Sequence, residues 1–159
     1  MERDWLFKED NFTCGIRAAG ILIHDGKILL QRDRDGNEYA LPGGHIRVGE
    51  ISEKAVAREY FEETGALVEP VRLLFIGETF WEWKGRQSHS ISFEYLLRML
   101  TPPDLPFDGT FKPHKDNDKV VIGWVPLEKV KELIVYPEVL KDYLEALPEK
   151  PVHYISKDS

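Results

Sequence analysis

The sequence has a single cysteine, Cys14, so it forms no internal disulfide, and its composition suits a reducing compartment. Nothing in the sequence marks a base beside Cys14, so thiol catalysis has no support. Long apolar runs are missing too. None approaches the ~20 residues of a membrane span, and the opening stretch "MERDWLFKEDNF" is charged throughout, unlike a secretory leader. Positive charge is also in short supply: 21 Lys and Arg stand against 28 Asp and Glu, a formal net charge of −7. That balance argues against a general coat for nucleic-acid polymers and against an anionic membrane surface. Repeats, low-complexity tracts and linker-like segments are absent. The expectation is one cytoplasmic, soluble domain over residues 1–159, long enough to bury about two-thirds of its unfolded surface.

What is present reads first as strands. "IRAAGILIHDGKILLQRDRDGNEYALPGG" contains two apolar runs joined at Asp25-Gly26, a strong hairpin signal. A break at Asp35-Gly36-Asn37 precedes a short apolar piece, Tyr39 to Leu41, and "PGG" should stop any regular element. Strand-like runs at 67–83 and 87–100 flank "KGR", again at hairpin spacing. The Pro-, Asp- and Gly-rich segment 101–118 is a long loop, of the kind that is functional or disordered. "KVVIGWVPL" returns to strand, and short helices are expected at 127–134 and 137–147, with Pro126 and Pro137 as starters. The tail "KPVHYISKDS" carries no firm assignment. Strands mixed with few helices indicate an α+β chain.

One helix stands out. From Ser52, a candidate N-cap, to Thr64, with Gly65 placed to end it, the spacing is helical. Val56, Tyr60 and Thr64, with Ala57 alongside, share one face; Ala55, Glu59, Glu62 and Glu63 share another. Three acids at i, i+3 and i+4 repel one another by a few tenths of a kcal/mol per pair. Such a patch is either a solvated face or an oxygen-ligand set for a hard divalent cation, which takes carboxylates and shares its remaining positions with phosphates. Arg58 can reach back to Glu50 and brace the preceding loop. Gly43 and Gly44 allow close backbone approach, so a carbonyl there could join a metal sphere.

Gly44, Glu50, Arg58-Glu59, Glu62-Glu63 and Gly65, within "GGHIRVGEISEKAVAREYFEETG", resemble the box of the Nudix hydrolases. All seven fixed identities are present at the required spacing, a chance match of about 10⁻⁹ per starting position from average composition. Tyr60 and Ala66 occupy positions that are more often aliphatic in the family, and a buried Tyr60 needs both room and a partner for its hydroxyl. The resemblance implies a Nudix-like α/β/α sandwich over about 15–147, with a mixed β-sheet and the box as loop-helix-loop.

It implies chemistry as well. A nucleoside diphosphate linked to another group X would be cut at a phosphoanhydride by water, with Mg²⁺ or Mn²⁺. Glu62 and Glu63 match the main metal ligands, Glu59 a ligand and candidate base, and Gly43 or Gly44 a carbonyl donor. Glu50 and Arg58 match orienting residues, Arg58 also being readable as a pure brace. Further base candidates are Glu94, Asp104, Asp108, Asp116 and Asp118, with Asp118 preferred in the loop. Alternation puts Trp81 and Trp83 on one strand face and Phe80 on the other, near His89. Trp81 could stack a base, or be ordinary core; His89 could bind substrate or be a hydrogen-bonded strand residue. Arg32 and Arg34 could hold terminal phosphate or be surface charges. Subgroup signatures for ADP-ribose, diadenosine-polyphosphate and NADH hydrolysis are missing. The expected partner is a small nucleotide, with homodimers common among family members. A metal-free nucleotide sensor and an acidic docking helix are the rival readings, although the complete set of acids favours hydrolysis over a sensor.

Overall fold

The computed structural model describes residues 2–157. In chain order, β1 (Leu6–Lys8) leads to β2 (Phe12–His24), β3 (Lys27–Asp33), β4 (Glu38–Ala40) and β5 (Gly43–His45). Next come α1 (Ser52–Thr64), β6 (Leu67–Trp83), β7 (Arg86–Thr101), β8 (Lys112–Pro113) and β9 (Val120–Pro126). The last elements are α2 (Leu127–Val130), β10 (Ile134–Tyr136), a 3-10 helix (Glu138–Tyr143) and β11 (Val152–Lys157).

Two tight turns set the sheet. Asp25 and Gly26 both take positive φ (46° and 77°), as do Lys84 and Gly85 (51° and 76°). Paired left-handed residues give the turn whose twist suits a two-residue hairpin, and these turns join β2 to β3 and β6 to β7. The sheet runs β10-β4-β3-β2-β7-β6-β11, with β9 against β3 and β5 against β2. It is mixed: β2 runs parallel to β7 over Phe12–Leu22, and β11 runs parallel to β6, while β6–β7 and β3–β9 are antiparallel.

Alternation along β2 divides the core in two. Ala18 and Leu22 pack with Val56 and Tyr60 of α1, whereas Ala19 and Ile21 pack on the opposite side with Val130, Val135 and Leu140. Tyr60 is fully buried and its hydroxyl donates to the Gly20 carbonyl at 2.7 Å. A side chain at Gly20 would collide with the Tyr60 ring and Leu97. One glycine therefore supplies both the room and the partner that the aromatic residue needs.

Several local expectations change. The N-cap of α1 is Ile51, without a side-chain bond; Ser52 lies inside the helix and its hydroxyl meets Tyr95 Oη at 2.6 Å. Gly65 ends the helix in the left-handed region, φ 78°, as expected. Ala55 and Glu63 are buried, so the acidic face is not uniformly solvated. "PGG" does not end regular structure, because Gly43 and Gly44 begin β5, pairing with Ala19 and Ala18. The two late helices are shorter than 127–134 and 137–147, since Ile134–Tyr136 is drawn into parallel pairing with Glu38–Ala40. The tail forms β11 at the sheet edge.

Candidate active site

Arg58 organises the acids. Its Nε and Nη2 donate to the two oxygens of Glu50 at 2.8 and 2.9 Å, a bidentate pair. Nη1 donates to Glu59 Oε1 at 2.9 Å and to Glu62 Oε2 at 3.2 Å, and Nη2 also reaches the His45 carbonyl at 3.2 Å. The Glu50 side chain additionally accepts from the Arg47 amide at 3.0 Å. These contacts pin the loop 46–51 to α1. Hydrogen bonding to Arg58 is the main reason the Glu50 carboxyl sits below its ordinary pKa, and pairing with Glu50 holds the guanidinium firmly charged.

Glu59 lies against β5. A side chain at Gly44 would fall 2.5–2.6 Å from the Glu59 carboxylate, so the glycine keeps that space open. Gly43 is equally confined, with the Ala18 carbonyl and Ala19 where its side chain would be. Glu63 is turned inward and is only 2% exposed. Its Oε2 meets His114 Nε2 at 2.7 Å, while its Oε1 is one of two buried side-chain oxygens with no hydrogen-bond partner among the described residues. His114 Nδ1 accepts the Asp116 amide at 3.0 Å, which leaves the proton on Nε2 to be donated to Glu63. Burial pushes the Glu63 carboxyl above its ordinary pKa, His114 opposes this, and the neighbouring Glu59 charge adds to it.

No three described His, Cys, Asp or Glu side chains already form a metal cage. The donor set nonetheless suits a hard divalent cation. It offers oxygens only, a buried partnerless oxygen on Glu63, a second Glu59 oxygen with no donor among the described residues, and the space kept by Gly44.

A cleft of about 1120 Å³ opens on the sheet face away from α1, lined in part by Arg17, Thr79, Trp81, Ser92, Glu94 and Tyr154. It lies across β2 from the acids: Arg17 and Ala19 line it, and their strand neighbours in β5 are His45 and Gly43. Glu94 is 3% exposed, and burial pushes its carboxyl up to about 8 against the pull of Tyr154 and Arg17.

The expected site residues divide into groups. Glu50, Arg58, Glu59 and Glu62 form one ion-paired cluster, with Glu63 and Gly43 beside it. Trp81 lines the cleft. His89 lies on the other face, stacked on Phe80 with ring centroids 4.3 Å apart, because register pairs Phe80 with His89 and Trp81 with Ser88. Arg34 donates to the Asp118 carbonyl at 3.1 and 2.6 Å, and Arg32 lies over Tyr39 and Phe111; both brace loops. Asp104 faces Lys115, and the Asp108 side chain accepts the Thr110 amide. Sequence reasoning missed His114 and Tyr154. His114 sits in the loop flagged as unusually long, and the alternation in "VHYISK" was the available sign of a strand.

Comparison with known proteins agrees with this geometry. The family model described as "NUDIX domain" matches residues 16–147. The mouse 8-oxo-dGDP phosphatase NUDT18 is 33% identical over 120 residues, covering 72% of this chain and 32% of that protein. An RNA pyrophosphohydrolase of Actinobacillus pleuropneumoniae is 29% identical over 146 residues, 81% of this chain and 71% of its own length. The chain thus spans only about a third of NUDT18, and 36% of the MutT-like protein of Streptomyces ambofaciens is matched. Among solved structures, a NUDIX hydrolase from Nitrosomonas europaea superposes with a TM-score of 0.62 at 18% identity, over 95% of this chain and 82% of that one. The MutT NUDIX hydrolase of Burkholderia pseudomallei gives 0.59 at 22%, over 85% and 98%. These two support the fold alone. With its box acids gathered around Arg58 and the family match spanning its core, the chain belongs to the Nudix hydrolases, a family of enzymes that generally use divalent metals.

Proposed function

We propose that the chain hydrolyses a phosphoanhydride bond in a nucleoside diphosphate linked to another moiety, as a single cytoplasmic domain using Mg²⁺ or Mn²⁺. The observation that carries this reading is the buried, partnerless Oε1 of Glu63 beside Glu59 and the open space at Gly44. A bare carboxylate oxygen in that position costs stability unless something electropositive meets it. Glu59, Glu62, Glu63 and the Gly43 carbonyl would hold the ion. When bound, it neutralises diphosphate oxygens and lowers the pKa of water.

The chain's own residues do the rest. Arg58 holds one oxygen each of Glu59 and Glu62; the other Glu59 oxygen is left available, and the other Glu62 oxygen faces Arg47 Nη2 at 3.6 Å. Glu59 Oε2 takes the proton of the attacking water. Water adds to one phosphorus, the bridging P–O bond breaks, and its electron pair leaves with the departing phosphate. Glu50 keeps Arg58 from swinging away, and His114 fixes the rotamer of Glu63.

Glu63→Gln is expected to lower Mg²⁺-dependent turnover by ~10²-fold or more with the fold intact. The measurement is product release over a panel of nucleoside triphosphates, nucleotide sugars, dinucleotides and ADP-ribose. Wild-type rates in the variant would remove Glu63 from the mechanism. Nucleotide binding with no metal-dependent product in the wild type would identify a sensor.

A further inference from the structure

The family match stops at residue 147, yet a wall of the cleft comes from beyond it. β11 lies parallel to β6 with Tyr154 beside Gly77 and Val152 beside Phe75. The Tyr154 ring occupies the volume that a side chain at Gly77 would fill. Through that gap it crosses β6 and donates its hydroxyl to Glu94 Oε1 on β7 at 2.6 Å, its ring edge-on to Phe75 at 6.3 Å.

Glu94 and Tyr154 face the cleft in polar company. Thr79 and Ser90 hydroxyls meet at 2.7 Å on the same face, and Ser92 lies beside them, opposite Gly77. Arg17 also lines the cleft, close enough to bias both Glu94 and His45, yet its guanidinium donates to no described residue. The second Glu94 oxygen likewise accepts no described hydrogen bond. An apolar residue would be a cheaper occupant of a strand position this deeply buried. Retaining a carboxyl there, held by a tyrosine and next to an unpaired cation, makes sense as hydrogen-bonding capacity kept for a ligand.

We propose that Tyr154 and Glu94, with Arg17 beside them, form the specificity-determining anchor of the cleft, reading the hydrogen-bonding edge of the substrate's nucleobase. This rests on the nucleotide reading above. Arg17 can only donate, so it demands an acceptor on the base; Glu94 selects the pattern next to that acceptor, and Tyr154 fixes which Glu94 oxygen is presented. Trp81, 41% exposed at the same cleft, offers a flat surface for the ring.

The test is calorimetric binding of GMP, AMP, UMP and CMP without metal, to the wild type, Tyr154→Phe and Glu94→Gln, with circular dichroism and thermal scans to confirm folding. Tyr154→Phe is expected to weaken the preferred nucleotide about tenfold. Glu94→Gln, which presents an amide donor where the ionised carboxylate is an acceptor, is expected to change the rank order of the four bases when binding is measured above pH 8. A parallel arm measures turnover of substrates that share a base and differ in X, and their relative rates should not move. If folded variants bind all four bases with the wild-type order and within twofold of its affinity, the anchor is wrong. If selectivity among X groups shifts instead, the pair reads the other end of the substrate and the proposal is overturned. Absence of any nucleotide binding by the wild type would bring down the nucleotide reading, and the anchor with it.

Discussion

One guanidinium, that of Arg58, donates to three carboxylates and a backbone carbonyl, and geometry rather than charge makes it hard to replace. A lysine would keep the positive charge and lose the planar fork that grips Glu50 with two bonds while reaching Glu59 and Glu62 with the third nitrogen. Glu94 poses the opposite case, a single acid with one tyrosine for support. Its pKa rises from 4.5 to about 8 on folding, chiefly through burial. Between those values the folded chain holds a proton that the unfolded chain has released. Raising the pH through that window therefore favours unfolding, by up to about 1.4 kcal/mol per pH unit for one group. Glu94→Gln cannot titrate. The stability advantage of wild type over Glu94→Gln, taken from urea midpoints at several pH values between 5 and 8, should shrink as the pH rises. Parallel curves for the two proteins would show that Glu94 is already ionised in the folded state.

At the scale of elements, α1 is held from both ends. The loop 46–51 is tied to it by Glu50 and Arg58, and the long loop docks on its far end: the Lys115 amide donates to the Glu63 carbonyl at 3.0 Å and the Asp104 amide to the Thr64 carbonyl at 3.1 Å. His114→Ala removes the side-chain part of that docking and the hydrogen-bond donor described for the Glu63 carboxylate. Exchange of the Lys115 and Asp104 amides is expected to quicken by tenfold or more, with stability falling by about 2 kcal/mol. Unchanged exchange at both amides would show that the backbone contacts hold the loop unaided. The same contacts explain what could be read from the sequence. Asp25-Gly26 and "KGR" announced their turns because turn chemistry is local, and Gly65 announced the end of α1 for the same reason. Ser52 misled because its hydroxyl found Tyr95 on the sheet face beneath the helix instead of the helix terminus. The acids, Arg58 and Glu50 are near neighbours on a helix and its leading loop, so their cluster was legible. His114 against Glu63, and Ile134–Tyr136 against β4, join segments far apart in the chain, and no local pattern encodes such meetings.

For the molecule as a whole, β2 is the shared partition. Ala18 faces the helix, Ala19 and Arg17 face the cleft, and β5 and β7 flank the strand on its two edges. Beyond β7 and β6, the sheet closes with β11. Removing residues 151–159 would uncover the β6 edge and free the Glu94 carboxyl from its tyrosine. A loss of ~2 kcal/mol, read as a fall of about 5 °C in Tm, is expected, along with concentration-dependent association on size-exclusion chromatography from the unpaired edge. An unchanged Tm would mean that β11 contributes no net stability. The fit of Tyr154 into the gap at Gly77 also carries an evolutionary consequence. Neither residue can change freely without the other: a larger side chain at 77 evicts the ring, and losing the ring leaves a hole over a glycine. Homologues that inherit this wall should carry both residues or neither, so a bare pair of positions marks the lineage in which the pocket took its present shape.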